Sequence, residues 1–344
     1  VAVGVKRRAA EDLKVAGETI DVVGIGNAIM DVLARAEDAF LEERGLVKGT
    51  MSLIDEERAD AIYAEMGMTV QRSGGSAANT TVGIASLGGS AAFVGRVRND
   101  ALGESYARDI QDAGVGYSTT LATSGPGTGR CLIVVTPDGE RTMQTYLGAC
   151  ADLGPDDVDP ATITGAAVTY LEGYLWDPPP AKEAFLKAAS IAHGAGRKVS
   201  LSLSDRFCVD RHRDEFLDLV DRHVDILFAN ESEIVALFEA RDFDDAVERL
   251  GDRCEVAALT RGESGALVVH GGVRTEVAVE PVSHVMDTTG AGDLFAAGFL
   301  FGITHGHDPA TAGRIGAIAS AEIISHVGAR PATSLAELVR QQGL

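Results

Sequence analysis

Residues 181–228 read AKEAFLKAASIAHGAGRKVSLSLSDRFCVDRHRDEFLDLVDRHVDILF. Within them Ala181–Ala192 and Arg213–Asp221 repeat apolar side chains at helical spacing, whereas Lys198–Leu203 and Asp225–Phe228 are short runs of strand character. Helix, strand, helix, strand in close succession is the rhythm of a mainly parallel sheet covered on both faces. Outward from this stretch, further short strand-like runs recur at Ile20–Ile25, Ala91–Val94, Val168–Leu171, Val256–Thr260 and Gly265–Val269. The pattern predicts an α/β fold, a doubly wound mainly parallel sheet, over residues 20–344, with 1–19 a polar leader. Pro178-Pro179-Pro180 reads as a loop and helix entry inside that body.

Two stretches break the alternation. Cys131–Thr136, the turn Pro137-Asp138-Gly139-Glu140 and Arg141–Leu147 read as a β-hairpin, and Thr50–Ile54 as a further short strand. They predict a small β-sheet lid drawn from about 31–56 and 118–148, set against the body so as to cover a site.

Composition narrows the function classes. With 51 acidic and 30 basic residues the net charge is −21, a field that repels nucleic acid and anionic membrane and leaves a small molecule as the expected partner. No apolar run approaches the roughly 18 residues of a membrane span, and the opening residues lack a signal-peptide core. A cytoplasmic enzyme is expected, as a monomer or homodimer. Cys131, Cys150, Cys208 and Cys254 are far apart with no CxxC pair, which argues for buried small residues rather than a zinc site or disulfides.

Asp287-Thr288-Thr289-Gly290-Ala291-Gly292-Asp293 precedes the apolar run Leu294–Leu300. Small residues at a helix start leave N–H groups convergent, so Gly290, Ala291 and Gly292 form a candidate anion hole at the positive end of the helix dipole. Asp293 beside a bound anion is a candidate base for a hydroxyl attacking phosphorus. The alternative is an acid that merely favours its helix dipole.

Other motifs fall at strand ends, where ligands of α/β sheets bind. In Gly24-Ile25-Gly26-Asn27-Ala28-Ile29-Met30-Asp31, Asn27 and Asp31 are candidates to grip a diol; a dinucleotide fingerprint fails for want of the third glycine. In Ser73-Gly74-Gly75-Ser76-Ala77-Ala78-Asn79, the glycines let backbone approach a ligand and Asn79 offers donor and acceptor; Gly74, Gly75, Ser76 and Asn79 are taken as substrate contacts. In Asn230-Glu231-Ser232-Glu233, Glu233 is a candidate to organise magnesium through water, and a capping box fits Asn230 and Glu233 equally well. Thr260-Arg261-Gly262-Glu263-Ser264-Gly265 suits backbone contact with a nucleotide, with an ordinary hairpin loop as the alternative; Thr260, Gly262 and Gly265 are the residues concerned.

In this order the motifs GxGNxxxD, SGGSxxN, GRVRNDALG (Gly95 to Gly103), NESE, TRGESG and DTTGAGD resemble the ribokinase-like (PfkB) family of sugar and nucleoside kinases, from about Asp21 to Pro331. The resemblance implies ATP- and magnesium-dependent phosphorylation of a hydroxymethyl group, with Asp293 as base. It also implies a potassium site near Asp287 and Thr289. Within the family, Tyr170–Tyr174, Leu201–Ser204 and Val224–Glu231 are similar to adenosine-kinase segments, and Arg141 matches a lid arginine that reaches the phosphates. A purine slot is then expected from Ile29, Met51, Cys131, Met143, Leu147 and Tyr174, the last for stacking. A sugar kinase acting on ribose, fructose or similar is the alternative.

Overall fold

The computed structural model describes residues 20–344; the leader expected at 1–19 lies outside them. The strands are β1 (Ile20–Ile25), β2 (Ile29–Arg35), β3 (Met51–Leu53), β4 (Val70–Gly74), β5 (Ala91–Val94), β6 (Val115–Tyr117), β7 (Gly129–Val135), β8 (Arg141–Tyr146), β9 (Ala166–Glu172), β10 (Lys198–Ser202), β11 (Ile226–Asn230), β12 (Val256–Thr260), β13 (Ala266–His270) and β14 (Val273–Val277). Among the described residues they form two sheets, ordered β14-β13-β12-β11-β10-β9-β1-β5-β6 and β3-β8-β7-β2-β4.

The large sheet is parallel from β6 to β12 and turns antiparallel at β13 and β14. Alternation along its strands divides the core. Val22 packs with Tyr170, Phe228 and Phe299 on one face, and Val23 and Ile25 with Leu171 and Phe185 on the other. Helices Pro179–Gly194 and Arg206–Arg222 cover the second face, the former entered at Pro179 as the proline run predicts. The nearly all-apolar helix Ala291–Thr304 is buried on the first face between helices Ser76–Ser86 and Pro309–Ile324, in keeping with its lack of a polar side. Among the described residues no helix is long and apolar enough to cross a membrane.

The small sheet is wider than the expected lid. It begins at Ile29 and takes in β4, beyond the segment 31–56. Val70–Gly74 (VQRSG) is a mostly polar edge strand, and its last two residues open the glycine motif Ser73–Asn79. Three more strands are missed in sequence: the three-residue β6 and the mostly exposed β14, both edges of the large sheet, and β2, which lies between β7 and β4 and whose first residues read as part of the strand-end motif after β1. An edge strand needs neither length nor a buried face, so periodicity is weakest there.

Candidate active site

A cavity of about 1180 Å³ lies between the two sheets. Its floor is built at the carboxyl ends of β11 and β12 and at two helix starts, and its roof is one face of the small sheet.

Helix Ala291–Thr304 begins at Gly290, which sits at φ 82° in the left-handed region, and no side chain caps it. A side chain at Gly290 would also bring a Cβ within 3.0 Å of Ala329. Of the three residues expected in the anion hole, Ala291 uses its N–H to close a turn onto the Thr288 carbonyl at 3.2 Å. Gly290 and Gly292 keep theirs, Gly292 is exposed, and all three residues line the cavity.

One turn in, Asp293 accepts hydrogen bonds from Ser76 Oγ at 2.6 Å and Asn79 Nδ2 at 3.0 Å, and its backbone carbonyl accepts from Thr80 Oγ1. Burial raises its carboxyl above the ordinary aspartate value, opposed by those side-chain bonds and by Arg330. Asn79 Oδ1 is buried without a partner and Asn79 lines the cavity. It is an acceptor in need of a donor.

Asp31 lies on the roof. Burial pushes its carboxyl up to about 6 against the pull of Arg330 and Arg141, with Asp293 adding to the rise. Gly74 makes the room it occupies: a Cβ there would meet the Asp31 carboxylate at 2.6 Å. Gly74 does not itself line the cavity, whereas Gly75, at φ 105°, does.

Asn27 departs from its expected place as a diol ligand. Only 4% exposed, it donates through Nδ2 to Glu172 at 2.8 Å, its backbone N–H also meets Glu172, and its Oδ1 accepts from Cys150 Sγ at 3.1 Å. It belongs to a buried network beneath the cavity because Glu172, at the end of β9, draws its donors inward. The same carboxylate accepts the Ala77 N–H at 2.7 Å, capping helix Ser76–Ser86, whose own cap position is a glycine. Burial raises Glu172 to about 7, opposed by the bonds from Ala77 and Asn27. The segment Tyr170–Tyr174 was noted for its resemblance alone, and a strand-end acid gave no sequence signal for this cap.

At the floor's other end, Asn230 and Glu233 form a capping box: Asn230 Oδ1 accepts the Glu233 N–H, while Glu233 accepts the Asn230 N–H at 2.8 Å and Nδ2 at 2.5 Å. Burial lifts Glu233 to about 7, with Asp205 adding to it. Thr260 and Gly262 line the main cavity; Gly265 lines only an adjoining hollow of about 160 Å³, bounded also by Ala291, Gly292 and Phe295. Gly265 sits at φ 82°, and a Cβ there would collide with the Val277 carbonyl.

The roof follows from strand register. Thr145, Cys131, Asp31 and Arg72 are cross-strand partners in one row, and Met143, Ile133, Leu33 and Val70 in the next, so all eight share one pleat face and all line the cavity. The second row is wholly apolar. Of the expected purine slot, Ile29, Cys131, Met143 and Tyr174 line the cavity, whereas Met51 and Leu147 do not. Met51 extends the apolar row on the edge strand β3, 54% exposed. Leu33, Val70 and Ile133 were missed because pleat partners are visible only once register is known.

Arg141 ties roof to floor. It pairs with Asp287 and reaches Thr289 Oγ1 at 3.4 Å, and its Nε is buried without a partner. Asp287 accepts as well from Thr289 N–H and Oγ1 and from Gly328 N–H at 2.9 Å. Burial works to raise its carboxyl, but these bonds and Arg141 together hold it below the usual value. Four donors fill the lone-pair positions of a carboxylate. Asp287, expected beside potassium, is the clasp for Arg141.

A parallel α/β body that presents an acid beside uncapped helix amides under a β-sheet roof defines the phosphoryl-transfer class. Residues 45–335 match the pfkB family carbohydrate kinase, and the chain belongs to that family of phosphotransferases. Two solved structures are similar over nearly their whole length. Adenosine kinase from Sinorhizobium meliloti is 51% identical (TM-score 0.86, 94% of this chain and 99% of that one). A probable sugar kinase from Rhizobium etli CFN 42 is 48% identical (TM-score 0.87, 95% and 99%). Adenosine kinase of Saccharomyces cerevisiae is 28% identical over 332 residues, covering 90% of this chain and 96% of that protein.

Proposed function

We propose that the enzyme transfers the γ-phosphate of ATP to the 5′-hydroxyl of adenosine or a close purine nucleoside. The observation that carries the reading is Asp293, a part-buried carboxylate one turn into a helix whose first amides are uncapped, on the wall of a cavity large enough for both substrates.

The ribose lies between Asp31 and the Gly75–Asn79 turn, its diol donating to Asp31 and to the unpartnered Asn79 Oδ1. Its 5′-hydroxyl faces Asp293, held as an oriented acceptor by Ser76 and Asn79; as the oxygen attacks, the carboxylate takes the proton. The amides of Gly290 and Gly292 receive charge developing on the transferred phosphoryl group, and Arg141 Nε turns toward it from the roof. ATP runs from there along Thr260–Gly265, with Asn230–Glu233 beside its phosphates. Magnesium supplies charge neutralisation of those phosphates when bound. Glu233 fits that role through water: each of its oxygens keeps acceptor capacity beyond the bond from Asn230, and a nearby cation would offset the burial and the Asp205 charge that raise its carboxyl.

The apolar roof row favours a nucleoside over a free sugar. Four apolar side chains beyond the Asp31 row suit a flat base and serve no hydroxyl. Similarity to a probable sugar kinase keeps ribose and fructose as the second reading. Incubation with ATP, magnesium and a panel of nucleosides and sugars, with products identified by mass, tests the proposal. Adenosine monophosphate is the expected product; a sugar phosphate formed while adenosine is untouched would replace this reading with the second.

A further inference from the structure

The loop between helices Pro309–Ile324 and Leu335–Gln341 borders the cavity and is pinned at both ends. Gly328 N–H donates to Asp287, and the N–H groups of Ala332 and Thr333 donate to Glu322 Oε1, each at 2.9 Å. Between these anchors Arg330 crosses to the glycine turn. Its Nε donates to the Ser73 carbonyl at 3.1 Å, Nη1 to the Ala78 carbonyl at 3.1 Å and Nη2 to Ser73 Oγ at 3.0 Å. Ser73 is held in turn by Asp109 Oδ2, which accepts its N–H and hydroxyl at 2.7 Å each.

We infer that Arg330 is a positioning residue for phosphoryl transfer: its guanidinium spans the turn that carries Ser76 and Asn79, and so fixes the two side chains that orient Asp293. The inference rests on Asp293 being the base, as proposed above. Two features argue for this role over plain packing. The guanidinium bonds carbonyls on either side of Gly74–Ala77 while the Glu172 carboxyl takes the Ala77 N–H, so the turn is gripped from both sides through its two kinds of backbone group. A planar fork spans two separated carbonyls in fixed geometry, which a lysine ammonium cannot reproduce.

The second feature is charge. Arg330 is faced by Asp31 from β2, Asp293 from helix Ala291–Thr304, and Asp109 and Tyr106 from helix Ala101–Asp112. It favours the ionised form of both Asp31 and Asp293, and Arg141 does the same for Asp31. Without Arg330 both acids would protonate at higher pH, and a protonated Asp293 accepts no proton.

Arg330→Lys retains the charge and loses the fork; Arg330→Met loses both. Each is compared with wild type for KM and kcat of the acceptor, affinity for ATP and the pH dependence of kcat/KM, after a thermal melt establishes folding. Arg330→Met should lower acceptor kcat/KM by about 10²-fold, the size of losing charge-assisted hydrogen bonds, and move the acid limb to higher pH, with ATP affinity within about twofold of wild type. Arg330→Lys should keep the acid limb in place while acceptor kcat/KM still falls by about tenfold. Should Arg330→Met not fold, Arg330→Lys decides. A folded lysine variant with acceptor kcat/KM within about twofold of wild type overturns the inference. Since the kinetics use whichever acceptor the wild type phosphorylates, failure of the adenosine assignment appears in the wild type alone. Failure of this inference appears only between variants.

Discussion

Floor and roof of the cavity are built on different terms. On the floor, each acid near the reacting position is matched to particular donors: Asp293 to Ser76 and Asn79, Glu172 to Ala77 and Asn27, Glu233 to Asn230. All stand at helix starts or strand ends of the large sheet. The roof is a pleated face whose row of Leu33, Val70, Ile133 and Met143 makes no directed bond, with Val70 58% exposed. Its charged tie to the loop before Asp293 is Arg141 on Asp287. Directed bonds on a rigid frame hold reacting groups to the tolerance that chemistry needs, while an apolar face tolerates small displacement and selects by size. Substitutions on the floor, and at Arg141, should therefore act on turnover, and those in the apolar roof row on acceptor binding.

The largest effect is expected at Asp293. In Asp293→Asn the amide can still accept from Asn79 and donate to Ser76 Oγ, a hydroxyl able to reverse its role, so the geometry survives and basicity is lost. Turnover should fall by ~10²–10⁴, with ATP affinity unchanged, as measured by steady-state kinetics beside nucleotide titration. Turnover close to wild type would remove the floor from the chemistry.

A second effect separates folding from catalysis through pH. Glu172 has its carboxyl raised from 4.5 to about 7, chiefly by burial. Between those values the folded protein binds more of this proton than the unfolded chain, so this group's contribution to stability is greatest at acid pH and declines as pH rises through that window. The shift corresponds to a contribution of roughly 3 kcal/mol. Glu172→Gln stays neutral at every pH, so its melting temperature should decline less steeply than that of wild type between about pH 4.5 and 7. Parallel profiles for the two proteins would show that Glu172 is charged throughout that range.

What the sequence disclosed follows the same division. The doubly wound body was legible because its strands are buried on both faces and its helices keep apolar spacing; β11 and β12 end at the motifs read as nucleotide contacts. Asp293 and the glycines before it were legible because small residues at a helix start have few other uses. Arg330 and the role of Glu172 were not, since each acts on backbone groups far away in the chain; Arg330 stands in no motif, and Glu172 entered only as part of the segment Tyr170–Tyr174 with no function attached. Asn27 was misplaced because its motif was read outward, toward a ligand, whereas its partner lies inside. The roof row required register between β2, β4, β7 and β8, and register comes from pairing that periodicity does not encode.

The smallest expected effect tests the roof. Leu33 is half-buried, lines the cavity in the middle of the apolar row, and has no part in holding Asp293. Full burial of a leucine side chain is worth about 1.5–3 kcal/mol, and a ligand laid on one side of the row would cover part of it, so Leu33→Ala should weaken adenosine binding by ~1 kcal/mol, about fivefold in KM. Because the lost contact is made equally in the ground and transition states, kcat should not change. Turnover of a free sugar, which does not reach that row, should keep its KM. A fall in kcat with KM unchanged would mean that the apolar row positions reacting groups, and the division between directed bonds for chemistry and an apolar row for selection would have to be given up.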